Sequence, residues 1–391
     1  MALTSGMLLV VAIAAAAGSL AAIVWAWPRL ARPRPAYLAA RLAVIAVSQL
    51  LVTAAFLIWL NSYFSFYASW GQLTGGASTK AAPVTVPQAG AAARLVVIDR
   101  SQPGPAPVQH RAEALGPGTE VVQRPGAQAA PRTAGRLLQV VIKGERTGLS
   151  SGPGYVYLPP QYFRPAYARA RFPVVLTLTG YPGQADSIVR LLALPVVAAR
   201  LIADGRVRPT VFVMLNVSPL FPLDTECTDV PGGPQVESFL AQDVPRAVEQ
   251  TFRVTASPAG WGVLGYSTGG YCAAKLAMMY PDRFSAAVSM AGYYQTIPGV
   301  DVPHLWGGSS GYRDENSPDW RLRYLPAPPV SVLATSSWAG EKTLPGTLAF
   351  LREIHPPMRG YSLIIRQGGH NFRTWGRELP PSLVWLSRRL S

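Results

Sequence analysis

Residues 260–273 read GWGVLGYSTGGYCA and place a serine at the spacing G-x-S-x-G. The apolar run 261–264 precedes this motif, and a helix-like stretch, 273–280, follows it. Between a strand and a helix, G-x-S-x-G predicts a nucleophile elbow, a sharp turn that presents the serine above a sheet. The serine needs small neighbours on both sides because strand and helix crowd there. The motif predicts Ser267 as a nucleophile; the alternative is a glycine-rich turn with a solvent-exposed serine.

Strands alternate with helices along residues 136–391. The predicted strands are 137–143, 154–158, 172–179, 211–216, 261–264, 286–290, 330–335 and 361–366, and the predicted helices are 187–202, 236–252, 273–280, 344–354 and 381–390. We expect the first two strands to be antiparallel, whereas the continuous apolar run 172–179 is typical of a buried parallel strand. This alternation predicts an α/β fold, a mostly parallel sheet covered by helices on both faces.

A serine hydroxyl is a weak nucleophile at neutral pH, so it needs a base, and a carboxylate orients that base. In α/β-hydrolases the acid and then the histidine follow the serine along the chain. Three of the four histidines follow Ser267: His304, His355 and His370. His370 is the predicted base, because its G-G-H-N-F segment lies just past the last predicted strand. The other two are expected to be surface histidines.

Glu341 is the predicted acid, since it is the only carboxylate in the loop 336–343 that follows the strand 330–335. The alternative is a structural carboxylate favoured by the dipole of the following helix. Asp301 is the reserve candidate. Three further carboxylates precede the strand and are poorer candidates: Asp314, Glu315 and Asp319.

An oxyanion hole requires two backbone N–H groups directed at the developing charge. Thr268, the residue after the nucleophile, is predicted to supply one. The loop 180–183 after the strand 172–179 should supply the other, and because Pro182 has no N–H we expect Tyr181 to be the donor. The alternative is an ordinary Pro-Gly turn. We expect no metal and no cofactor, because serine acyl chemistry requires neither.

Residues 136–391 resemble the esterase D / mycolyltransferase-type branch of the α/β-hydrolase superfamily. The resemblance rests on YLPP at 157–160, LTGY at 178–181, GYSTGG at 265–270, LWG at 305–307 and GGHN at 368–371. It implies the α/β-hydrolase fold and a Ser/Glu/His triad, which maps onto Ser267, Glu341 and His370. Two features depart from mycolyltransferases: Thr179 stands where they usually carry an aspartate, and they are normally secreted free.

Two apolar runs, 7–27 and 42–60, each have about the length that a bilayer-spanning helix requires. The segment 28–41 between them is rich in arginine. No Lys or Arg precedes Arg29, and none follows the second run until Lys80. The positive-inside rule therefore predicts a two-helix anchor with the segment 28–41 in the cytoplasm and both flanking parts outside. A cleaved signal peptide is the rival for the first run, but a basic n-region is missing.

Residues 71–135 are rich in Gly, Ala, Pro and Gln, which predicts a tether with one short strand at 95–99. The chain carries 35 Lys+Arg against 20 Asp+Glu, a net charge of +15. No nucleic-acid-binding motif accompanies this charge, so an anionic membrane or envelope surface explains it better. An extracytoplasmic location favours a disulfide between Cys227 and Cys272; two buried thiols are the alternative.

The leading functional prediction is a membrane-anchored serine esterase whose catalytic domain faces outward and cleaves esters of envelope lipids or acylated glycans. One alternative is an acyltransferase, in which a sugar or lipid hydroxyl replaces water. Another is a catalytically silent envelope-binding module. The sequence makes no prediction of oligomeric state.

Overall fold

A computed structural model of the chain describes residues 6–64, 96–97, 135–220, 223–297 and 305–391. The described residues form two compact units. The first contains the N-terminal helices together with the segments 337–342 and 365–374, and the second contains the other described residues. Most of the predicted tether, 71–135, as well as Asp301 and His304, lies outside the described residues.

The two N-terminal helices are α1 (Gly6–Leu30) and α2 (Pro35–Phe64). Their mean hydropathies over the most apolar windows are 2.6 and 2.3, and only 6% and 11% of these windows is buried. By length and composition, both could therefore cross a bilayer, and they contain the predicted apolar runs 7–27 and 42–60. Ser19 and Ser48 join the helices through their hydroxyls, 3.0 Å apart.

The chain contains a nine-stranded sheet, and its order is β1-β2-β3-β5-β4-β6-β7-β8-β9. The strands are β1 (Val96–Val97), β2 (Arg136–Val141), β3 (Gly154–Leu158), β4 (Val174–Leu178), β5 (Val211–Leu215), β6 (Trp261–Tyr266), β7 (Ala286–Met290), β8 (Ser331–Ala339) and β9 (Arg359–Gln367). The pairs β2–β3 and β3–β5 are antiparallel, whereas β5, β4, β6, β7 and β8 run parallel to one another. The predicted mostly parallel sheet is confirmed.

Every residue of the four strands β4 to β7 is buried. Burial on both faces is what a parallel sheet covered by helices on each side requires. The apolar composition of these strands therefore follows from their position.

Helices connect the strands. They are α3 (Ala185–Arg190), α4 (Leu194–Ala203), α5 (Val236–Ser238), α6 (Val244–Thr251), α7 (Thr268–Met279), α8 (Ser310–Glu315), α9 (Pro318–Tyr324), α10 (Leu344–Glu353) and α11 (Phe372–Ser387). A π-helical segment, Phe239–Asp243, joins α5 to α6.

Several boundaries differ from the sequence prediction, and three of them show why. The predicted helix 187–202 is broken into α3 and α4 at Ala193, whose φ is 54°, just before Pro195. The predicted strand 330–335 continues as β8 to Ala339. The predicted helix 381–390 was placed too late: α11 begins at Phe372 and accommodates two prolines that usually mark a helix start.

Candidate active site

The turn between β6 and α7 holds Ser267 in a strained backbone conformation, with φ 57° and ψ −124°. Positive φ is costly for a residue with a Cβ and persists only where the surroundings enforce it. Here the Ser267 N–H donates to the carbonyl of Met290 at 2.9 Å, and the Ser267 carbonyl accepts from Gly270 N–H at 2.9 Å. The hydrogen bonds on both sides fix this turn, and the geometry is that of a nucleophile elbow.

The glycines around the serine are required by packing. A Cβ on Gly265 would lie 2.1 Å from the carbonyl oxygen of Gly269, and a Cβ on Gly269 would lie 2.3 Å from the carbonyl oxygen of Thr179. Both distances are far below van der Waals contact. The G-x-S-x-G spacing is therefore a consequence of how closely β6, α7 and the end of β4 approach one another.

The loop after β4 passes directly over the serine. A Cβ on Gly180 would lie only 2.8 Å from the Cβ of Ser267. Within this loop, Gly183 N–H donates to the carbonyl of Gly180 at 2.8 Å, and the Thr179 hydroxyl donates to the carbonyl of Gly183 at 3.2 Å. Tyr181, the predicted oxyanion donor, lies next to Gly180 in this turn.

Thr268, the other predicted donor, is the first residue of α7. The first N–H groups of a helix have no acceptor within the helix, and they carry the positive end of the helix dipole. An oxyanion at this end of α7 is therefore electrostatically favoured. The turn places Thr268 beside the serine, as the motif predicts.

Cys227 and Cys272 form a disulfide, with an S–S distance of 2.10 Å and a Cα–Cα distance of 6.0 Å. The predicted pairing is confirmed. The bond connects the loop after β5 to the second turn of α7. The serine-bearing helix is thus covalently attached to a segment 45 residues earlier in the chain.

A buried lysine lies beneath this disulfide. Lys275, on α7, is fully buried, and its ammonium lies 3.2 Å from a carboxylate oxygen of Glu237. The same ammonium donates to the carbonyl of Cys227 and to the hydroxyl of Thr228, each at 3.0 Å. Burial lowers the pKa of Lys275, while the Glu237 carboxylate opposes that change.

The carboxyl group of Glu226, next to Cys227, is also fully buried. Its Oε1 accepts from the Tyr293 hydroxyl at 2.9 Å and from Ile297 N–H at 3.1 Å. Burial raises the pKa of Glu226 to about 7, an effect that these two hydrogen bonds oppose. The sequence analysis does not single out Glu226. The one sequence feature that points to it is its position beside Cys227, which is predicted to form a disulfide with Cys272, close to Ser267 in the chain.

In the first unit, Glu341 and His370 form a close pair. The imidazole Nδ1 of His370 lies 3.0 Å from Oε1 of Glu341, and the Glu341 side chain is 1% exposed. A carboxylate at Nδ1 favours the tautomer in which Nε2 is the basic nitrogen. The predicted acid and the predicted base are therefore partners, 29 residues apart in sequence.

The segment that carries His370 is held by its own hydrogen bonds. Gly369 N–H donates to the Thr374 hydroxyl at 2.8 Å, and Thr374 N–H donates to Oδ1 of Asn371 at 3.0 Å. The asparagine thus satisfies an N–H group of the first turn of α11. A Cβ on Gly368 would lie 2.6 Å from a methyl carbon of Thr374, so the loop has no room for a larger residue there.

The other described candidates have structural surroundings. The exposed His355 bonds the carbonyl of Glu353 through Nδ1 at 2.9 Å. Asp319 is buried and accepts from the Gln295 amide at 2.6 Å. Asp314 pairs with its neighbour Arg313 at 2.9 Å.

Comparison with known families agrees with this fold. Residues 151–328 match the family model described as "Putative esterase". The matched stretch contains Gly180 and Ser267, whereas Glu341 and His370 follow it. This stretch is similar to that esterase family, and the fold is the α/β-hydrolase fold that the sequence resemblance implies.

Two curated relatives and one solved structure illustrate this similarity. An uncharacterized protein of Corynebacterium glutamicum is 24% identical over 273 residues, which cover 66% of this chain and 63% of that protein. The MPT51/MPB51 antigen of Mycobacterium tuberculosis is 26% identical over 162 residues, 36% of this chain and 52% of the antigen. The match therefore spans less than two thirds of either relative. A ferulic acid esterase structure superposes with a TM-score of 0.55 at 18% identity, covering 66% of this chain and 99% of that one, a similarity of fold.

Proposed function

We propose that this protein is a membrane-anchored serine esterase, with Ser267 as nucleophile, His370 as general base and Glu341 as the acid that orients the base. The observation that carries the proposal is the strained backbone of Ser267, which is fixed between β6 and α7 by hydrogen bonds and glycine contacts. Strain of this kind is retained where function needs it. The Glu341–His370 pair at 3.0 Å supplies the two remaining residue types in the expected chain order.

The reaction follows from these roles. The Ser267 hydroxyl oxygen attacks the ester carbonyl carbon while His370 Nε2 takes the hydroxyl proton. The negative charge that forms on the carbonyl oxygen is stabilised by the N–H groups of Thr268 and Tyr181. His370 then gives its proton to the leaving alcohol, which leaves an acyl-serine. Water attacks this ester with His370 again as base, and the carboxylic acid and the free serine result.

The apolar helices and the disulfide support the proposed location. Four arginines, Arg29, Arg32, Arg34 and Arg41, are concentrated at the connection between α1 and α2, which favours a cytoplasmic position for that connection. The disulfide favours an oxidising compartment for the esterase domain. An anchored domain meets membrane-associated substrates at a high effective concentration. We therefore propose envelope lipids or acylated glycans as the substrate class.

The test uses the full chain, purified in detergent, with p-nitrophenyl esters from acetyl to dodecanoyl. Ser267→Ala is expected to lower kcat/KM by at least about 10³-fold and to abolish labelling by a fluorophosphonate, because no other nucleophile replaces the serine. His370→Ala is expected to have a similar effect. Full activity in Ser267→Ala would contradict the proposal.

Matched controls separate the triad from unrelated positions. His355→Ala removes an exposed histidine and should leave kcat/KM unchanged. Glu341→Gln should lower kcat by about 10²-fold or more because the imidazole loses the carboxylate that orients it, whereas Glu353→Gln should not. Adding a sugar acceptor distinguishes hydrolysis from acyl transfer, since only transfer yields an acylated sugar.

A further inference from the structure

Three arginines line a cavity between the turn that follows α4 and the end of α11. The cavity has a volume of about 430 Å³. The turn leads from α4 into β5, so the cavity lies near the amino end of that strand. We call it the arginine pocket, and it is lined by Gly205, Arg206, Arg208, Val384, Ser387 and Arg388.

Buried hydroxyl groups fix the backbone of the arginine pocket. Arg208 N–H donates to the Ser387 hydroxyl at 2.8 Å, and the Thr210 hydroxyl donates to the Arg208 carbonyl at 2.8 Å. Ser387 and Thr210 are both buried. The first of these hydrogen bonds joins residues 179 positions apart in sequence. The cavity is therefore built into the fold.

The arginines of the pocket have no counter-charge. Arg206, Arg208 and Arg388 are exposed, and no carboxylate lines the cavity. Within the described residues none of the three forms an ion pair, although other exposed arginines such as Arg190 and Arg323 do. The dipole at the end of α11 favours a cation at Arg388. That dipole acts over the last turn only, so it does not account for three arginines around one cavity.

A phosphate group matches this arrangement. A guanidinium group donates two parallel hydrogen bonds to an oxyanion and keeps its charge at any physiological pH. A phosphate monoester carries about 1.5 to 2 negative charges and has three strong acceptor oxygens, so it can bind more than one guanidinium group at once. A carboxylate has one charge and two oxygens, and it satisfies fewer of the donors around this cavity.

The arginine pocket is separate from the candidate active site. Arg208 precedes the amino end of β5, whereas Ser267 follows the carboxyl end of β6, and both strands run parallel to β4 between them. With five residues in β5, at about 3.3 Å per residue, the strands separate the two sites by about 15 Å. A group bound in the pocket is therefore not the ester that reacts at Ser267.

We propose that the arginine pocket binds a phosphate group, carried by a soluble compound or by the headgroup of a phospholipid. Binding is noncovalent: the three guanidinium groups donate to the phosphate oxygens and neutralise their charge. Both sources present the same chemistry to the pocket, and the experiment below distinguishes them. The proposal concerns a site other than Ser267, so it does not depend on the proposed esterase function.

Isothermal titration calorimetry of the full chain in a neutral detergent measures the binding of inorganic phosphate. We expect saturable binding with a Kd of about 1 mM or below. The triple variant Arg206→Gln/Arg208→Gln/Arg388→Gln should weaken binding by at least about tenfold, because it removes every guanidinium group that lines the pocket. Arg388→Glu alone reverses one charge in the pocket and should have a comparable effect.

The matched control is Arg190→Gln/Arg313→Gln/Arg323→Gln. It lowers the net charge by the same amount, at arginines that already pair with carboxylates. Its Kd for phosphate should stay within about twofold of wild type, because salt screens exposed charges that lie away from the pocket. The absence of saturable phosphate binding in the wild type, or equal weakening in the control, would overturn the proposal.

Lipid added to the detergent micelles identifies the source of the phosphate group. If phosphatidic acid raises the measured Kd of inorganic phosphate by about fivefold or more, and phosphatidylcholine raises it less, the pocket binds a lipid headgroup. If neither lipid competes, the phosphate group belongs to a soluble compound.

The two sites are tested independently of each other. Ser267→Ala should bind phosphate as the wild type does, and a loss of binding in this variant would contradict a separate site. The triple arginine variant should keep its kcat/KM for p-nitrophenyl butyrate within about twofold of wild type, because distant sites act independently. Failure of the phosphate proposal and failure of the esterase proposal are therefore distinguishable.

Discussion

The turn at Ser267 and the turn at Glu226–Cys227 both force non-glycine residues to positive φ, but different interactions hold them. Ser267, with φ 57°, is fixed by backbone hydrogen bonds and by glycines that let β6 and α7 touch. Glu226 and Cys227 are fixed by a disulfide and by a buried lysine. The first turn needs small residues within five adjacent positions, which meet backbone atoms of Thr179 and Met290. The second turn depends on side chains about 45 residues away.

This difference has a consequence for mutational sensitivity. A methyl group added to one of the glycines around Ser267 should destabilise the folded domain, because the atoms that the methyl group meets belong to the backbone and cannot move aside easily. The Glu226 turn should be destabilised when a distant side chain is removed, because Cys272 supplies the disulfide bond and Lys275 supplies the ammonium group that hold it. Four predictions test the contrast.

Gly269→Ala should have the largest effect on the Ser267 turn. The added methyl carbon would lie 2.3 Å and 2.5 Å from two carbonyl oxygens at the end of β4. We expect a loss of about 4–5 kcal/mol in the free energy of unfolding, or no folded protein at all, measured by urea titration of tryptophan fluorescence. Gly376→Ala is the matched control, because nothing lies within 4 Å of its added Cβ. That change, inside α11, should stabilise the domain by about 0.5–1 kcal/mol.

Lys275→Met should be the most damaging single change to the Glu226 turn. It leaves the buried Glu237 carboxylate without its cation at 3.2 Å. We expect a loss of about 3–5 kcal/mol in the same urea titration. The double variant Lys275→Met/Glu237→Gln should recover most of that loss, since no unpaired charge then remains. Equal stability of the single and double variants would argue against a charge effect.

Removing the disulfide with Cys227→Ala/Cys272→Ala should cost about 2–4 kcal/mol, because the bond closes a long loop in the unfolded chain. Its sequence separation is 45 residues. Thermal unfolding of the oxidised wild type, the reduced wild type and the variant measures this difference. The reduced wild type and the variant should agree; a variant as stable as the oxidised protein would show that the bond contributes nothing.

The Glu226 carboxyl group should have the smallest effect of the four on the free energy of unfolding, and this effect should depend on pH. Burial raises the pKa of Glu226 from 4.5 to about 7, so between these values the folded state holds a proton that the unfolded state releases. The wild-type free energy of unfolding should therefore fall as pH rises from 4.5 to 7, by about 2–3 kcal/mol relative to Glu226→Gln.

Tyr293→Phe sharpens this pH prediction. The Tyr293 hydrogen bond lowers the pKa of Glu226, so its removal should extend the fall in stability to higher pH. Urea titrations at a series of pH values measure the effect. Parallel pH dependence in wild type and Glu226→Gln would exclude Glu226 as its source.

Much of the sheet could be predicted from sequence because its signals are local. The strands at 154–158 and 286–290 were predicted with their observed bounds, and the apolar run 172–179 contains β4. Helix boundaries were less predictable. Within the run 187–202, Pro195 is a signal for a helix start, and the left-handed Ala193 separates α3 from α4 just before it. The predicted start of the last helix, at residue 381, lies inside α11, which accommodates both Pro380 and Pro381.

The sequence by itself determined the elbow and the candidate acid and base, because each depends on residue types at short spacing or on chain order. Only the tertiary structure decided that Glu341 and His370 lie 3.0 Å apart, that Cys227 bonds Cys272, and that Glu226 is buried against Tyr293. These contacts join residues dozens of positions apart, and no local preference encodes them. They form because burying a charged or polar group is favourable only when folding also brings its partner to it.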